Sequence, residues 1–359
     1  AVLDSELAEP SVGAAFAAAV AAIEGGEIES LQRLAALASK SEPAFQGWTA
    51  AFGWVERTHL QGIVRDLLKN ADPVSRLAGL TACAMHRVDP GFETGPWLGE
   101  PVPALRARAL RAVGELGLSS VEPRCRAAIE DEDAECRFWA TWSTVLLGNR
   151  GSALSALSET GVSPDAPHRL RAFRLMLQAM DTRAAHAVLQ DVARDAAQRR
   201  WVMQGSGIVG DVAYVPWLLG QMASPETARA AGEAFTLITG ADLDALQLWR
   251  EQPEDFESGP TENPEDENVD LEPDEGLMWP DQLKVEQWWV KNSSRFTSGQ
   301  RYFMGAPVTR AHCIDVLKNG YQRQRILAAH YLCLLDPGTP LFNTSAPAWR
   351  QQKLLAQMG

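Results

Sequence analysis

Between residues 72 and 250 the apolar positions fall into short blocks at helical spacing, each opened by an arginine. The arginines are Arg76, Arg106, Arg137, Arg169, Arg200 and Arg229, at steps of 30, 31, 32, 31 and 29 residues. Four of these blocks close on a glycine ten or eleven residues later: Gly117, Gly148, Gly210 and Gly240. Small and aliphatic residues fill the space between, as in ALRARALRAVGELG and TARAAGEAFTLITG, and each glycine suits a helix C-cap. A second apolar segment follows in most units, at 121–129, 153–157, 184–192 and 212–222. The pattern predicts a helix, a turn and a second helix, repeated about every 31 residues. One such pair cannot bury its apolar faces alone, whereas a stack of pairs makes a continuous core. The predicted fold is therefore all-α: an α-solenoid of HEAT-like helical-hairpin repeats, with a compact helical bundle as the alternative.

The starts of the units carry their own signals. Asp72, Asp133 and Asp195 precede Arg76, Arg137 and Arg199 by four residues. An acid there caps the helix N-terminus and pairs with the arginine one turn on. Pro73 and Pro225 suit first-turn positions. The arginine column thus reads as a ladder of caps and salt bridges between repeats; the functional alternative is a basic ladder for an anionic ligand.

The flanks are less regular. Residues 1–71 read as degenerate hairpins, one over 12–40 broken at Gly25 and Gly26, another over 46–58 and 60–69. The stretch after His86 is too rich in Pro and Gly for a full second helix. Residues 251–278 read as an acidic, disordered, solvated insertion, and 279–359 as a C-terminal helical cap. The cap comprises a helix from Pro280 to about Asn292, a short strand at 301–304, helices at 309–318 and 321–335, and an extended tail packed back by Phe342 and Trp349.

Charge narrows the function classes. The chain has 359 residues, a net charge of −13 and 46% apolar residues. Twelve acids and no Lys or Arg lie between 251 and 275, and the rest of the chain is close to neutral. That balance argues against binding nucleic acid or an anionic membrane surface. Five scattered cysteines without a CxxC pair read as buried thiols in a reducing compartment, the cytoplasm by default. No cofactor is expected. Gly205, Gly207 and Gly210 spell GxGxxG, but the residues before them are helical in the repeat register, not a strand. His330, Cys333 and Cys313 form the nearest approach to a metal set, with a core helix and apolar thiols as the simpler account.

Asp-x-x-x-Arg, then small and apolar residues, then Leu-Gly, resembles the HEAT-like repeat class, including its phycobilin-lyase-type variants, over 72–250. The phrases LTACAMHRVDPG, ECRFWATWSTVLLGNRG, AFTLITGADL, RFTSGQRYFMG, YQRQRILAAHYL and APAWRQ resemble a bacterial family of HEAT-repeat proteins encoded beside type VI secretion genes. That resemblance covers nearly the whole chain and implies a further N-terminal segment ahead of residue 1. It carries no catalytic residue onto this sequence. What it implies is an accessory, adaptor or immunity-type role whose partner is a secretion-system component or effector. The expected function is a non-enzymatic protein-binding scaffold. The rivals are a HEAT-like-repeat enzyme of lyase or DNA-glycosylase type and a purely structural module of a larger assembly. Large hydrogen-bonding side chains, typical of interface hot spots, concentrate towards the C-terminus. The expected partner-binding residues are therefore Trp288, Trp289, Arg295, Arg301, Tyr302, Arg323, Arg325, Trp349 and Arg350.

Overall fold

Asp72 accepts hydrogen bonds from the backbone N–H groups of Val74 and Ser75 while Pro73 opens a helix at its first position. Asp133 does the same for Cys136, and Asp181 for Ala184. At the other end, Gly117, Gly210 and Gly240 adopt left-handed backbone as helix C-caps. These local rules produce an all-α chain in the computed structural model, which describes residues 11–358 except 255, 257–264 and 266–272.

The helices are α1 (Val12–Gly25), α2 (Ile28–Ala38), α3 (Glu42–Trp54), α4 (Ile63–Leu68), α5 (Pro73–Met85), α6 (Pro103–Leu116), α7 (Glu122–Ala127), α8 (Ala134–Leu146) and α9 (Ser152–Val162). They continue as α10 (Arg169–Ala179), α11 (Thr182–Val192), α12 (Arg199–Val209), α13 (Val215–Gln221), α14 (Pro225–Thr239), α15 (Gln282–Asn292), α16 (Arg310–Asn319), α17 (Gln322–Leu335) and α18 (Ala348–Leu355). A two-stranded antiparallel ribbon, β1 (Tyr302–Phe303) and β2 (Ala306–Pro307), pairs Tyr302 with Pro307 and Phe303 with Ala306. Where an extended tail was expected, 348–355 is helix.

The chain forms two compact units, Ala1–Leu157 with Leu332–Gly359, and Ser158–Tyr331. In the first unit α1, α3, α5, α6 and α8 pack side by side in that order. In the second, α10, α12 and α14 do the same. Each row is what a stack of hairpins requires. Small residues set the spacing: a Cβ on Gly114 would lie 2.8 Å from the Ser143 Cα, and one on Gly207 2.9 Å from the Ala234 Cα. Gly205, Gly207 and Gly210 therefore serve helix packing and capping. Gly205 and Gly207 lie within α12, and Gly210 ends it.

The arginine column is a ladder. Arg76 donates bidentately to Glu100 at 2.9 and 3.1 Å, and Arg106 to Asp131 at 2.7 and 2.9 Å. Arg169 reaches Gln198 at 2.7 Å and lies over the Trp201 ring. Arg137 differs and donates to the carbonyls of Asp131 and Glu132, its own helix entry. At the end of the ladder both remaining arginines turn to one residue. Arg200 pairs with Asp274 through both terminal nitrogens, and Arg229 donates to the Asp274 carbonyl at 3.2 Å.

That contact corrects the expectation for 251–278. Most of the segment lies outside the described residues, and at its C-terminal end Pro273, Glu275, Gly276 and Met278 are exposed, but Asp274 among them is buried. Asp274 is 3% exposed. Phe256 and Trp279 meet edge to face beneath Arg229.

The last carbonyls of the first helices are covered by chain that comes later. In the second unit Arg301 donates to the carbonyls of Leu177, Gln178, Met180 and Val209. Tyr302 N–H follows onto Gly210 at 2.8 Å, and Met304 N–H onto Leu237 at 2.6 Å. A Cβ at Gly210 would run into the Tyr302 carbonyl. In the first unit the tail runs the opposite way. Pro337 packs at Gly148 and Gly338 at Gly117, the Leu341 N–H donates to Glu115 O, Asn343 donates to Met85 O, and Arg350 to the carbonyls of Trp54 and Val55.

Two stability predictions follow from this packing. Leu147, 8% exposed after the last turn of α8, should cost about 2–5 kcal/mol when changed to alanine, read from urea denaturation. Asp274→Asn should destabilise the chain by about 2–4 kcal/mol, because it removes the buried carboxylate paired with Arg200. A melting temperature equal to the parent's would show that Asp274 is not a rung.

Candidate functional site: a groove across the first unit

The first helices of the first unit line a groove of about 1010 Å³. Phe16 of α1, Phe45 and Trp54 of α3, Leu77 and Met85 of α5, and Trp139 of α8 supply its apolar surface. Residues 343 and 345–347 of the tail border it. Phe16 and Trp54 meet edge to face at 5.9 Å, and Trp54 remains 49% exposed.

Its polar centre comes from α6. Pro103 starts this helix and Gly117 ends it, so Arg108, Arg111 and Glu115 stand at i, i+3 and i+7, on one face. Glu115 occupies the last turn, where the helix dipole disfavours an acid. Arginines compensate. Arg108 Nη2 donates to Glu115 Oε2 at 2.8 Å and Arg111 Nε to Oε1 at 2.8 Å, while Arg87 Nη1 lies 3.9 Å from Oε2. Burial alone would push the Glu115 carboxyl up; Arg108, Arg111 and Arg87 outweigh it and hold it at about 2. Arg111 also lies over the Trp139 ring, 4.5 Å from its centroid.

Arg87 is strained into this position. Its φ is +55°, unusual for a residue with a Cβ. Its side chain donates to the Leu341 carbonyl at 2.7 Å and to the Ala84 carbonyl. Burial lowers its pKa from the usual arginine value. Arg108 Nη1 is buried and has no hydrogen-bond partner. The opposite rim of the groove, at the helix N-termini, is acidic: Glu42, Asp133 and Glu135.

The C-terminal residues singled out from sequence do not form one site. Trp288 and Trp289 are half-buried against Phe235, and Phe296 links Trp289 to buried Tyr302. Arg295 lies exposed over Phe296, donating to Asn292 at 3.2 Å. The guanidinium of Arg301 is spent on four carbonyls. Arg325 Nε donates to Leu317 O near the end of α16, and Arg323 pairs with Glu233 at 2.8 Å. Trp349 and Arg350 belong to the other unit, where Arg350 covers the end of α3 and lies over Trp349. These arginines mostly seal helix ends, and Trp288, Trp289 and Tyr302 belong to a core cluster of the second unit.

Other chemistry is sparse. Among the described residues, no group of three or more His, Cys, Asp or Glu is placed to hold a metal ion. Burial pushes the Cys313 and Cys333 thiols up to about 12, and His330 Nδ1 donates to Gln178 Oε1 at 3.0 Å. In the second unit Tyr214, His186 and Asp211 form a hydrogen-bonded relay at 2.7 and 2.9 Å. Burial raises the Tyr214 phenol, the reverse of an activated nucleophile, and Asp211 also holds the N–H groups of Ala213 and Gly299. The relay pins three segments together. No helix among the described residues is long and apolar enough to cross a membrane.

No family model, curated protein or solved structure matches the chain. What the fold itself defines is an all-α protein built of helical hairpins.

Sequence reasoning passed over Arg87, Arg108, Arg111, Glu115 and Trp139. A signal was present in RARALRAVGE, where two arginines and a glutamate share a helical face beside the repeat arginine Arg106.

The folded Glu115 carboxyl lies below its ordinary 4.5, so it adds stability that is full above about pH 4.5 and lost as the pH falls through about 2. Glu115→Gln should cost about 3–5 kcal/mol at pH 7. It should also flatten the acid limb of a stability–pH curve measured by urea denaturation. An unchanged acid limb would mean that Glu115 does not carry it.

Proposed function

We propose that this chain is a non-enzymatic protein-binding scaffold and that the groove of the first unit takes an extended segment of a partner protein. The observation that carries this reading is the groove's composition. Aromatic and aliphatic side chains from successive first helices surround a buried, charged centre, the mixture that anchors peptides. The groove touches α1, α3, α5, α6 and α8. Helices packed about 8–10 Å apart give it a length on the order of 35 Å. An extended peptide of about ten residues has that reach. The arginine ladder takes no part: Arg76, Arg106 and Arg169 bond to the connection or repeat that follows, Arg137 to its own helix entry, and Arg200 and Arg229 to Asp274.

The sequence resemblance supplies the setting for this reading: an accessory, adaptor or immunity-type component associated with bacterial type VI secretion. It acts in the cytoplasm on a secretion-system component or effector.

Ala50 and Ala104 line the groove and are exposed. Tryptophan at both positions should fill the groove without disturbing the core. Affinity capture followed by mass spectrometry should recover a stoichiometric partner with the parent and lose it with the Ala50→Trp/Ala104→Trp variant, at unchanged melting temperature. A partner retained by that variant would place the binding surface elsewhere.

A further inference from the structure

We propose that the partner segment carries a single carboxylate side chain, flanked by apolar residues, and that Arg108 binds it. This rests on the groove reading above.

Three observations converge on Arg108. Its Nη2 is committed to Glu115, while its Nη1 is buried without a partner. A buried guanidinium N–H left unsatisfied is costly, and a carboxylate oxygen is the acceptor that matches it best. The side chain lines the groove and keeps 12% of its surface exposed, so binding requires the guanidinium to turn Nη1 towards an occupant. Secondly, Glu115 is shared: Arg108 and Arg111 hold it at 2.8 Å and Arg87 stands 3.9 Å away. One internal acid among these arginines leaves room for a second from outside. Thirdly, the groove that Arg108 lines also holds the apolar Leu77, Met85 and Ala107, and at the helix N-termini Glu42, Asp133 and Glu135. Apolar walls favour apolar neighbours to the acid. The acidic rim repels a second carboxylate, which fixes the direction of the segment and excludes a polyanion such as nucleic acid.

The test is selection of random dodecapeptides displayed on phage against the immobilised full chain. It is followed by fluorescence anisotropy of the best peptide and of the same peptide with its acid replaced by the amide. The expected result is one enriched Asp or Glu between apolar residues, with the amide form binding roughly tenfold or more weakly to the parent. Against Arg108→Gln the acid and amide forms should bind within about twofold of each other, the signature of a lost pairwise coupling. The comparison of acid with amide on the parent protein does not depend on any variant folding. Arg108→Lys, which keeps a cation for Glu115, is the second variant. It should retain part of the preference.

Peptides that carry no preferred acid but are lost in Ala50→Trp/Ala104→Trp would overturn this proposal and leave the groove reading standing. So would an acid preference that survives in Arg108→Gln. Peptides that bind the Ala50→Trp/Ala104→Trp variant as well as the parent, or selection of none, would overturn both.

Discussion

A helix that ends beside other helices leaves its last carbonyls facing the same direction as theirs, and those carbonyls must find donors. This constraint shapes both units. Left-handed glycines turn the chain away and absorb some of the carbonyls. The remainder are met by arginine side chains and backbone N–H groups from later in the sequence. Arg301 alone takes four. The tail of the first unit takes carbonyls from α6, α5 and α3 in turn. Much of what looked like interface chemistry at the C-terminus is therefore the answer to a backbone accounting problem.

The same constraint explains what was legible in the sequence. Caps and glycine stops are local, so the helix starts at Asp72 and Asp133 and the ends at Gly117, Gly210 and Gly240 could be read directly. The side-by-side packing of the first helices could be inferred, because a period near 31 residues admits few other arrangements. The partners of the ladder could not. Arg76 finds Glu100 in an irregular connection, and Arg200 finds Asp274 across 74 residues. The residue count between them says nothing about that pairing. The tail was misjudged because its helix is only eight residues long and Gln351 is the one residue buried in it, yet Pro347 precedes a helix that docks through Arg350. The groove was missed for a similar reason. Glu115 and Arg108 become a site only when Arg87 and the tail arrive from elsewhere.

Glu115 shows how site and fold share one cluster. Its carboxylate binds α6's own arginines, its backbone carbonyl takes the Leu341 N–H, and Leu341's carbonyl takes Arg87. The groove's cationic end and the docking of the tail are thus one network. Tuning one changes the other, which limits how far the arginines could be exchanged for lysines. A lysine would keep charge but lose the fork that spans two acceptors.

The segment after residue 250 enters and leaves the second unit at a single point. Trp249 bridges Pro280, the Arg250 N–H donates to Trp279 O at 2.9 Å, and the Asp281 N–H donates to Leu248 O at 2.8 Å. Asp274 then fastens the inner end to Arg200 and Arg229. Residues 248–250 and 279–281 are therefore joined directly, whatever sequence runs between them. A chain cut between residues 256 and 273 would leave two fragments that share this neck, the Asp274 contacts and the Arg301 contacts. The chain is in this sense divisible into a long and a short complementary part, and a domain of any length inserted between them would meet the same fixed ends.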